Sequence, residues 1–243
     1  MNECDRIRRC LESLLDVCAE VVLVDSGSTD GTVDMALGMG VRVVRQDWLG
    51  FGAQKNLAIA QATHPWVLLL DADEWMEPPA RRELRRLFES GDLEQADVWL
   101  LLRRTHFLGR AMRAGSFARE PVHRLFRRHH RHAEVPVHEH LEVDGSRVSR
   151  SAIRLEHDTA RDAAEYWRKL QRYARLSAEA AASRGRRSWP GRGMLAATAY
   201  LAKNLLLRGG IVDGPRGWHF HVLHARYAAL KYRLLLREAR GAR

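Results

Sequence analysis

Cysteine is scarce in this chain of 243 residues, and the three cysteines, Cys4, Cys10 and Cys18, all lie near its start. An odd number of cysteines at one end, with no Cys-x-x-Cys pair, argues against a disulfide framework and against a cysteine-based zinc knuckle. We therefore expect the protein to work in a reducing compartment, which is the cytoplasm.

Long apolar runs are also missing. The nearest candidate, 194–207, is shorter than the roughly 18 residues that a membrane-spanning helix needs, and Lys203 and Asn204 interrupt it. The acidic start lacks the pattern of a secretory signal. Because 46% of the residues are hydrophobic, as in ordinary globular proteins, wholesale disorder is not expected.

Lysine is the third scarce residue type, since four of the 40 basic residues are lysines and 36 are arginines. Residues 1–100 carry a net charge of −8 and residues 101–243 a net charge of +18. Such an asymmetry concerns partners: a basic back half suits nucleic acid, an anionic membrane surface or a phosphorylated substrate. Genomic base composition accounts equally well for the arginine excess, but not for the change of sign.

Apolar periodicity predicts an α/β chain. Short apolar runs, typical of buried strands, alternate with helical patterns of about ten residues, which implies βαβ units and a parallel sheet. The predicted strands are 20–24, 41–44 and 66–70, and the predicted helices are 5–15, 32–39, 51–62 and 79–90. Segments 97–103, 122–127 and 135–143 are interpreted as a mixed extension of the sheet. From residue 162 onward the pattern is helical, over 163–184, 194–207 and 218–237.

The first predicted strand is followed by an acid, Asp25, and then by turn residues 26–32. Ligands of open α/β sheets bind outside the carboxyl ends of the strands, where this side chain lies. A carboxylate there can accept hydrogen bonds from a nucleobase or a ribose. The alternative is a helix cap with its turn, in which Ser28, Thr29 or Asp30 satisfies free backbone N–H groups. For Asp25 both interpretations stay open, whereas for Asp30 the capping role is favoured.

The third predicted strand also ends in acids, Asp71 and Asp73. Two carboxylates two residues apart can turn toward one ion, and hard cations such as Mg²⁺ or Mn²⁺ prefer oxygen ligands together with substrate phosphates. The alternative is an ordinary polar loop. Between these strands, Gly50 and Gly52 would let the backbone approach a ligand closely, and Lys55 on the next helix could reach a phosphate.

The three motifs, Val-Asp-Ser-Gly-Ser-Thr-Asp-Gly-Thr, Gly-Phe-Gly-x-Gln-Lys-Asn and Leu-Asp-Ala-Asp-Glu, occur in this order over 24–32, 50–56 and 70–74. In that order they resemble family 2 glycosyltransferases of GT-A fold. Segments 122–128 and 135–139 and the helical tail extend the resemblance to the branch that acts on the lipopolysaccharide inner core. The fold thus implied is a Rossmann-like mixed sheet with helices on both faces and a C-terminal helical extension.

The resemblance implies roles for individual residues. Asp25 and Lys55 would contact the nucleotide, and Asp71 would do so through the sugar-nucleotide diphosphate. Asp71 and Asp73 together would form an Asp-x-Asp motif that holds the divalent cation, Mg²⁺ or Mn²⁺.

Four residues of the middle segment complete the expected site. By the resemblance, Glu139 is the candidate catalytic base and its neighbour His138 would tune it. Arg124 and Arg127 would lie near phosphates of the donor or the acceptor. His138 and His140 flank one strand position and could instead chelate zinc, so that a zinc site stays open as an alternative.

One feature departs from the family. In such proteins an apolar strand ending in Asn-Glu precedes the first helix, whereas here Asn2 and Glu3 directly follow Met1. We expect the physiological polypeptide to include that strand. The expected organisation is a nucleotide-sugar-binding half over 1–96, an acceptor-binding half over 97–158 and a basic amphipathic helical extension over 159–243.

The predicted function is inverting, metal-dependent transfer of a hexose. By family likeness the donor is UDP-glucose and the acceptor a lipid-linked inner-core saccharide. The arginine-rich tail, with aromatic residues between its charges, suits an anionic membrane surface, so we expect a peripheral protein at the inner membrane without a nucleic-acid partner. A nucleic-acid-binding protein and a sugar-nucleotide pyrophosphorylase are the alternatives.

Overall fold

The computed structural model describes residues 1–135, 140–160 and 162–241, with side chains up to residue 238. Within these ranges the chain forms two compact units. The first comprises Met1–Arg104 and Glu120–Asp158, and the second comprises Thr105–Arg119 and the residues from Thr159 onward. The second unit thus includes 105–119, which the domain prediction assigned to the middle segment.

Helices and strands alternate in the first half of the chain, and helices follow in the second. In chain order they are α1 (Cys4–Leu15), β1 (Val22–Asp25), α2 (Thr32–Gly38), β2 (Arg42–Arg45), α3 (Phe51–Gln61), β3 (Trp66–Leu68), β4 (Glu74–Trp75), α4 (Pro78–Glu89), β5 (Val98–Phe107), β6 (Arg110–Ala111), β7 (Glu120–Arg127), β8 (Val148–Asp158), α5 (Ala163–Ser183), α6 (Arg192–Leu201) and α7 (Gly214–Gly241). Turns of 3-10 type occur at Asp92–Gln95 and Gly210–Asp213, and a π-helical turn at Ala202–Leu207.

The described strands form two hydrogen-bonded sheets. β1 and β2 are parallel, with Val22 opposite Arg42 and Asp25 opposite Arg45. The larger sheet has the order β3, β7, β5, β8, β4, and β6 pairs with the end of β5. The predicted α/β fold with mixed strand directions is confirmed. The expected parallel continuation from β1 and β2 to β3 is not seen, because β3 pairs antiparallel with β7.

Helices cover both faces of β3, as predicted. Trp66 and Leu68 pack on a core that includes buried residues of α1 and α4, whereas Val67 and Leu69 pack on a second core with Ile59 of α3. Alternate residues of a strand point to opposite faces, so these helices lie on opposite sides of it. Each fully buried aliphatic side chain contributes about 1.5–3 kcal/mol, so these two clusters hold the first unit together.

The second unit has its own core. Phe107, Tyr166, Leu170, Phe220 and Leu223 are buried together, and the rings of Tyr166 and Phe220 stack at 5.5 Å. Helix α5 begins at a true cap, because the carboxylate of Asp162 accepts a hydrogen bond of 2.7 Å from the N–H of Glu165. The predicted helical extension is thereby confirmed as a folded body.

Two boundaries in this unit differ from the prediction. Helix α7 begins at Gly214 rather than Trp218, because Pro215 is tolerated in a first turn and Gly217 leaves room for Asp213, which lies 2.3 Å from where a Cβ would be. The predicted helix 194–207 divides into α6 and the π-helical turn. Among the described residues, no helix is long and apolar enough to cross a bilayer.

Candidate active site

The turn after β1 is built around the carboxylate of Asp25. This buried group accepts hydrogen bonds from the N–H groups of Gly27 and Ser28, at 2.9 and 2.8 Å, and from the hydroxyl of Ser28. Burial raises the pKa of Asp25, but these donors outweigh it and hold the pKa below its usual value. Within the chain Asp25 thus holds its own turn together, which the sequence did not predict, and its carboxylate keeps few further acceptor positions.

A cavity of about 590 Å³ opens beside this turn. Asp25, Ser28 and Thr29 line it on one side, and Arg45 and Asp47, which end and follow β2, line it on the other. The cavity therefore lies at the carboxyl ends of two parallel strands, which is the position that the sequence predicted for a ligand. Its volume is within the range of small-molecule sites.

Asp71, which follows β3, lies between two cations. Its carboxylate is 2.5 Å from Arg124 Nη2 and 3.6 Å from Lys55 Nζ. Burial raises the pKa of Asp71, but the positive charges of Arg124 and Lys55 prevail and hold the pKa far below its usual range. Asp71 is thus ionised at neutral pH, and 41% of its side chain is still exposed to solvent. The fold thus brings three predicted site residues together, Lys55, Asp71 and Arg124.

A buried acid completes this charge network. Glu74 is fully buried and contacts the same Arg124 nitrogen at 2.7 Å and Arg103 at 3.0 Å. Its other oxygen accepts a hydrogen bond from the N–H of Asp71. Glu74 therefore fixes both the arginine and the backbone that present Asp71. The sequence predicts no role for Glu74, although this residue directly follows the Asp-x-Asp motif.

Asp73 has a different neighbour. Its carboxylate lies 3.4 Å from Nε2 of His157, and its carbonyl accepts a hydrogen bond from the N–H of Asp158. In the described part of the chain, no group of three or more His, Cys, Asp or Glu side chains is arranged to hold a metal ion. The donor chemistry still fits a divalent cation, since Asp71 is an ionised and accessible carboxylate and Asp73 is two residues away.

Arg127 lies apart from this group. It pairs with Trp66 at the amino end of β3, whereas Arg124 is hydrogen-bonded next to the carboxyl end. Its guanidinium contacts Glu94 and stacks over the ring of Trp66 at 4.4 Å from the centroid. The structure therefore does not bring Arg127 to the other predicted site residues.

Helix α3 is hydrogen-bonded to the segment that precedes Glu139, the candidate base. The side-chain amide of Asn56 accepts a hydrogen bond from the N–H of His132 at 2.7 Å and donates to the carbonyl of His132 at 2.9 Å. A Cβ on Gly52 would lie 2.4 Å from the carbonyl oxygen of Ala133. The close approach that this glycine permits is thus to the protein's own backbone, rather than to a ligand as the sequence suggested.

Residues 136–139, which include His138 and Glu139, lie outside the described residues. On either side of residues 136–139 the chain is hydrogen-bonded to itself, since the N–H of Ala133 donates to the carbonyl of His140 and the N–H of Glu142 to that of Arg131. We call residues 131–134 the stem. Asn56 holds the stem against α3, the helix that also carries Lys55.

The buried ring of His132 lies on the same stem. Neither of its ring nitrogens has a hydrogen-bond partner among the described residues. Burial, with the positive charges of Lys55 and Arg124, lowers the pKa of His132 to about 4, so the ring is neutral at pH 7. Sequence spacing gave no sign of this burial, because His132 is one of several closely spaced histidines.

Known proteins resemble the part of the chain that carries this site. The family model described as glycosyl transferase family 2 matches residues 1–139. The lipopolysaccharide core biosynthesis glycosyltransferase LpsC of Rhizobium meliloti is 36% identical over 114 residues, which are 45% of this chain and 41% of LpsC. An uncharacterized glycosyltransferase of Rickettsia conorii, RC0292, is 39% identical over 89 residues, 37% of this chain and 32% of that protein. The chain thus matches less than half the length of these relatives.

Among solved structures, the crystal structure of residues 1–349 of TarS from S. aureus is similar. The alignment covers 100% of this chain and 90% of the TarS chain. The sequence identity is 16% and the TM-score is 0.46.

Proposed function

Because the chain belongs to glycosyl transferase family 2, we propose that it transfers a hexose from a nucleotide-activated donor to a lipid-linked saccharide with inversion at the anomeric carbon. The observation that carries the proposal is the ionised, accessible carboxylate of Asp71 between Lys55 and Arg124 at the carboxyl end of β3. A negative group flanked by fixed positive charges suits a site that receives a metal-bound diphosphate.

The nucleotide would occupy the cavity beside the Asp25 turn. The cavity is lined by polar groups at the carboxyl ends of β1 and β2, which supports binding of a ribose or a base there. UDP-glucose is proposed as the donor from the family likeness. Both the contact of Asp25 with the nucleoside and that of Lys55 with the nucleotide are parts of this proposal.

Departure of the nucleoside diphosphate requires stabilisation of its new negative charge. Asp71 and Asp73 would hold a divalent cation, Mg²⁺ or Mn²⁺, which supplies Lewis-acid stabilisation of the diphosphate when bound. Lys55 and Arg124 keep Asp71 ionised and positioned. Their own charges would add to the positive potential that the leaving group meets, which lowers the barrier to its departure.

The acceptor hydroxyl needs a base on the other side of the sugar. We assign this role to Glu139: its carboxylate takes the hydroxyl proton as the acceptor oxygen bonds to the anomeric carbon and the bond to the diphosphate breaks. His138 would tune that carboxylate. Support comes from the neighbouring stem, which Asn56 fastens to the helix that carries Lys55.

The acceptor is proposed to be a phosphorylated, lipid-anchored saccharide of the lipopolysaccharide inner core. LpsC, which matches part of the chain, is described as a lipopolysaccharide core biosynthesis enzyme. The net charge of +18 over residues 101–243 supports an anionic acceptor and an anionic membrane surface, at the cytoplasmic face of the inner membrane.

Titration with UDP tests the proposal. We expect UDP to bind in the presence of Mn²⁺ or Mg²⁺ and to bind at least about 10-fold more weakly after Asp71→Asn, since that change removes a charged ligand. Phe88→Ser, on the exposed surface of α4, serves as the matched control. Strong, salt-sensitive DNA binding that ignores Asp71→Asn would instead favour a nucleic-acid-binding protein.

A further inference from the structure

The second unit exposes an unusual set of large apolar side chains, and we propose that it is a lipid-inserting surface for an anionic bilayer. We call it the apolar face; each of its side chains is between 61% and 84% exposed. It consists of Met194, Leu195, Leu206, Leu207, Ile211 and Val212. The inference deepens the proposed function, on whose lipid-linked acceptor it rests, by naming the segment that enters the lipid.

Helix α6 presents its apolar side outward. None of its residues is buried, and Met194, Leu195, Thr198 and Ala199 are exposed at helical spacing, on one side of the helix. A surface helix of a globular protein normally turns its charged side to water and its apolar side to the core. An apolar side turned outward, as in α6, is that of a helix that lies in the plane of a lipid–water interface.

The turns that follow α6 hold the rest of the apolar face in a fixed shape. Gly210 packs so closely that a Cβ there would lie 2.5 Å from both the carbonyl of Asn204 and the ring of His221. The carboxylate of Asp213 accepts a hydrogen bond of 2.6 Å from the N–H of Arg113. The neighbouring residues Asn204 and Leu205 are buried while Leu206 and Leu207 point outward. The exposed side chains are therefore pre-organised, so little conformational entropy is lost on insertion.

The charges around this surface have one sign. Residues 180–212 contain no acidic residue and six basic ones, Arg184, Arg186, Arg187, Arg192, Lys203 and Arg208. The next acid, Asp213, is engaged by backbone N–H groups. Lys203, Arg208 and Arg216 are exposed and lie within a few residues of Leu206, Leu207 and Val212 along the chain. Basic residues next to an apolar surface complement anionic lipid headgroups, which selects an anionic bilayer over a neutral one.

Two tryptophans delimit the segment. Trp189 precedes α6 and Trp218 lies in the first turns of α7, and both are more than half exposed. Tryptophan is favoured at the boundary between headgroups and acyl chains, because its ring is apolar and its N–H needs a polar partner. Their positions fit insertion of the segment between them to the depth of that boundary.

A second copy of the chain is a poorer occupant. A symmetric contact would bring the same surface of two subunits together, so the basic residues of one copy, Lys203, Arg208 and Arg216, would lie near those of the other. Such like charges repel, and no acid in 180–212 is present to offset them. The charge pattern therefore favours lipid over self-association.

Vesicle sedimentation tests the inference. With vesicles of phosphatidylcholine and phosphatidylglycerol we expect the double variant L206S/L207S to bind at least about 10-fold more weakly than the unchanged protein, because inserted methylene groups are lost. Folding is kept because both side chains are exposed. The control L37S/F88S, which removes two exposed apolar side chains from the first unit, should bind as the unchanged protein does.

The charge is tested by R208Q/R216Q, which we expect to weaken binding several-fold on the anionic vesicles. Unchanged vesicle binding by L206S/L207S would overturn the inference. It would also be overturned if the unchanged protein is a dimer in sedimentation velocity and L206S/L207S dissociates that dimer without weakening vesicle binding. UDP titration of the same samples separates the two proposals. UDP binding without vesicle binding rejects the apolar face alone, and vesicle binding without UDP binding rejects the transferase alone.

Discussion

Each acid of the predicted site depends on its immediate neighbours for its chemical state. Asp25 accepts three hydrogen bonds from its own turn, whereas Asp71 is held ionised by Lys55 and Arg124 and stays accessible. The sequence placed both at the carboxyl ends of strands, which the fold confirms. It could not distinguish them, because the donors to Asp25 are local while the cations at Asp71 come from α3 and β7.

Glu139→Gln tests the proposed base. We expect UDP binding to persist and the rate of transfer to fall by about 10²–10⁴, the usual contribution of general base catalysis. Single-turnover rates and UDP titration on the same variant separate chemistry from binding. Turnover at the unchanged rate would remove Glu139 from this role.

The neutral His132 makes stability depend on pH. Its pKa is about 4 in the folded protein and about 6.5 in the unfolded chain, so the unfolded state binds the proton first as pH falls. We expect the free energy of unfolding to fall as pH drops from about 6.5 toward 4, by on the order of 2 kcal/mol at pH 5 from this group.

Urea unfolding of His132→Phe at pH 7 and pH 5 measures that dependence. The variant should lose less stability on acidification than the unchanged protein, because an apolar ring needs no proton. His64→Phe, at an exposed position, should keep the full loss. An identical pH dependence of the unchanged protein and His132→Phe would contradict the interpretation.

At the scale of elements, the packing of α3 on the 131–134 stem is the feature that sequence reasoning missed. The spacing of Gly50, Gly52 and Lys55 suggested ligand contacts. In the structure Gly52 and the neighbouring Asn56 instead contact Ala133 and His132. Long-range contacts of this kind leave no periodic signal, so only the fold reveals them. The helices themselves were predictable, since the spacing of their apolar residues is a local signal.

Two glycine substitutions measure this packing. Gly52→Ala should destabilise the protein by about 1–3 kcal/mol, because the added Cβ would lie 2.4 Å from a backbone oxygen. Gly38→Ala, in α2, meets no atom within 4 Å and should be neutral or slightly stabilising. Equal stability of the two variants in urea unfolding would show that α3 does not pack as described.

At the scale of the whole molecule, the acidic and the basic parts of the chain belong to two different proposed contacts, a metal-bound diphosphate and an anionic bilayer. The acidic first hundred residues contain the Asp71 group, whose charge is partly balanced by Lys55 and Arg124. The basic remainder includes the apolar face and its flanking cations. The charge distribution predicts an anionic partner but does not show which apolar residues are exposed. That the residues of α6 are not buried is known only from the fold.

The proposed activity is transfer of a hexose at the Asp71 site. The mass of a purified inner-core acceptor, after incubation with the protein, UDP-glucose and Mn²⁺ or Mg²⁺, reports it directly. We expect the acceptor to gain one hexose, and the rate of this gain to fall by about 10²–10³ after Asp71→Asn, as for loss of a major electrostatic contact in a transition state. A gain of the same rate after Asp71→Asn, or no gain with any nucleotide-activated hexose, would contradict it.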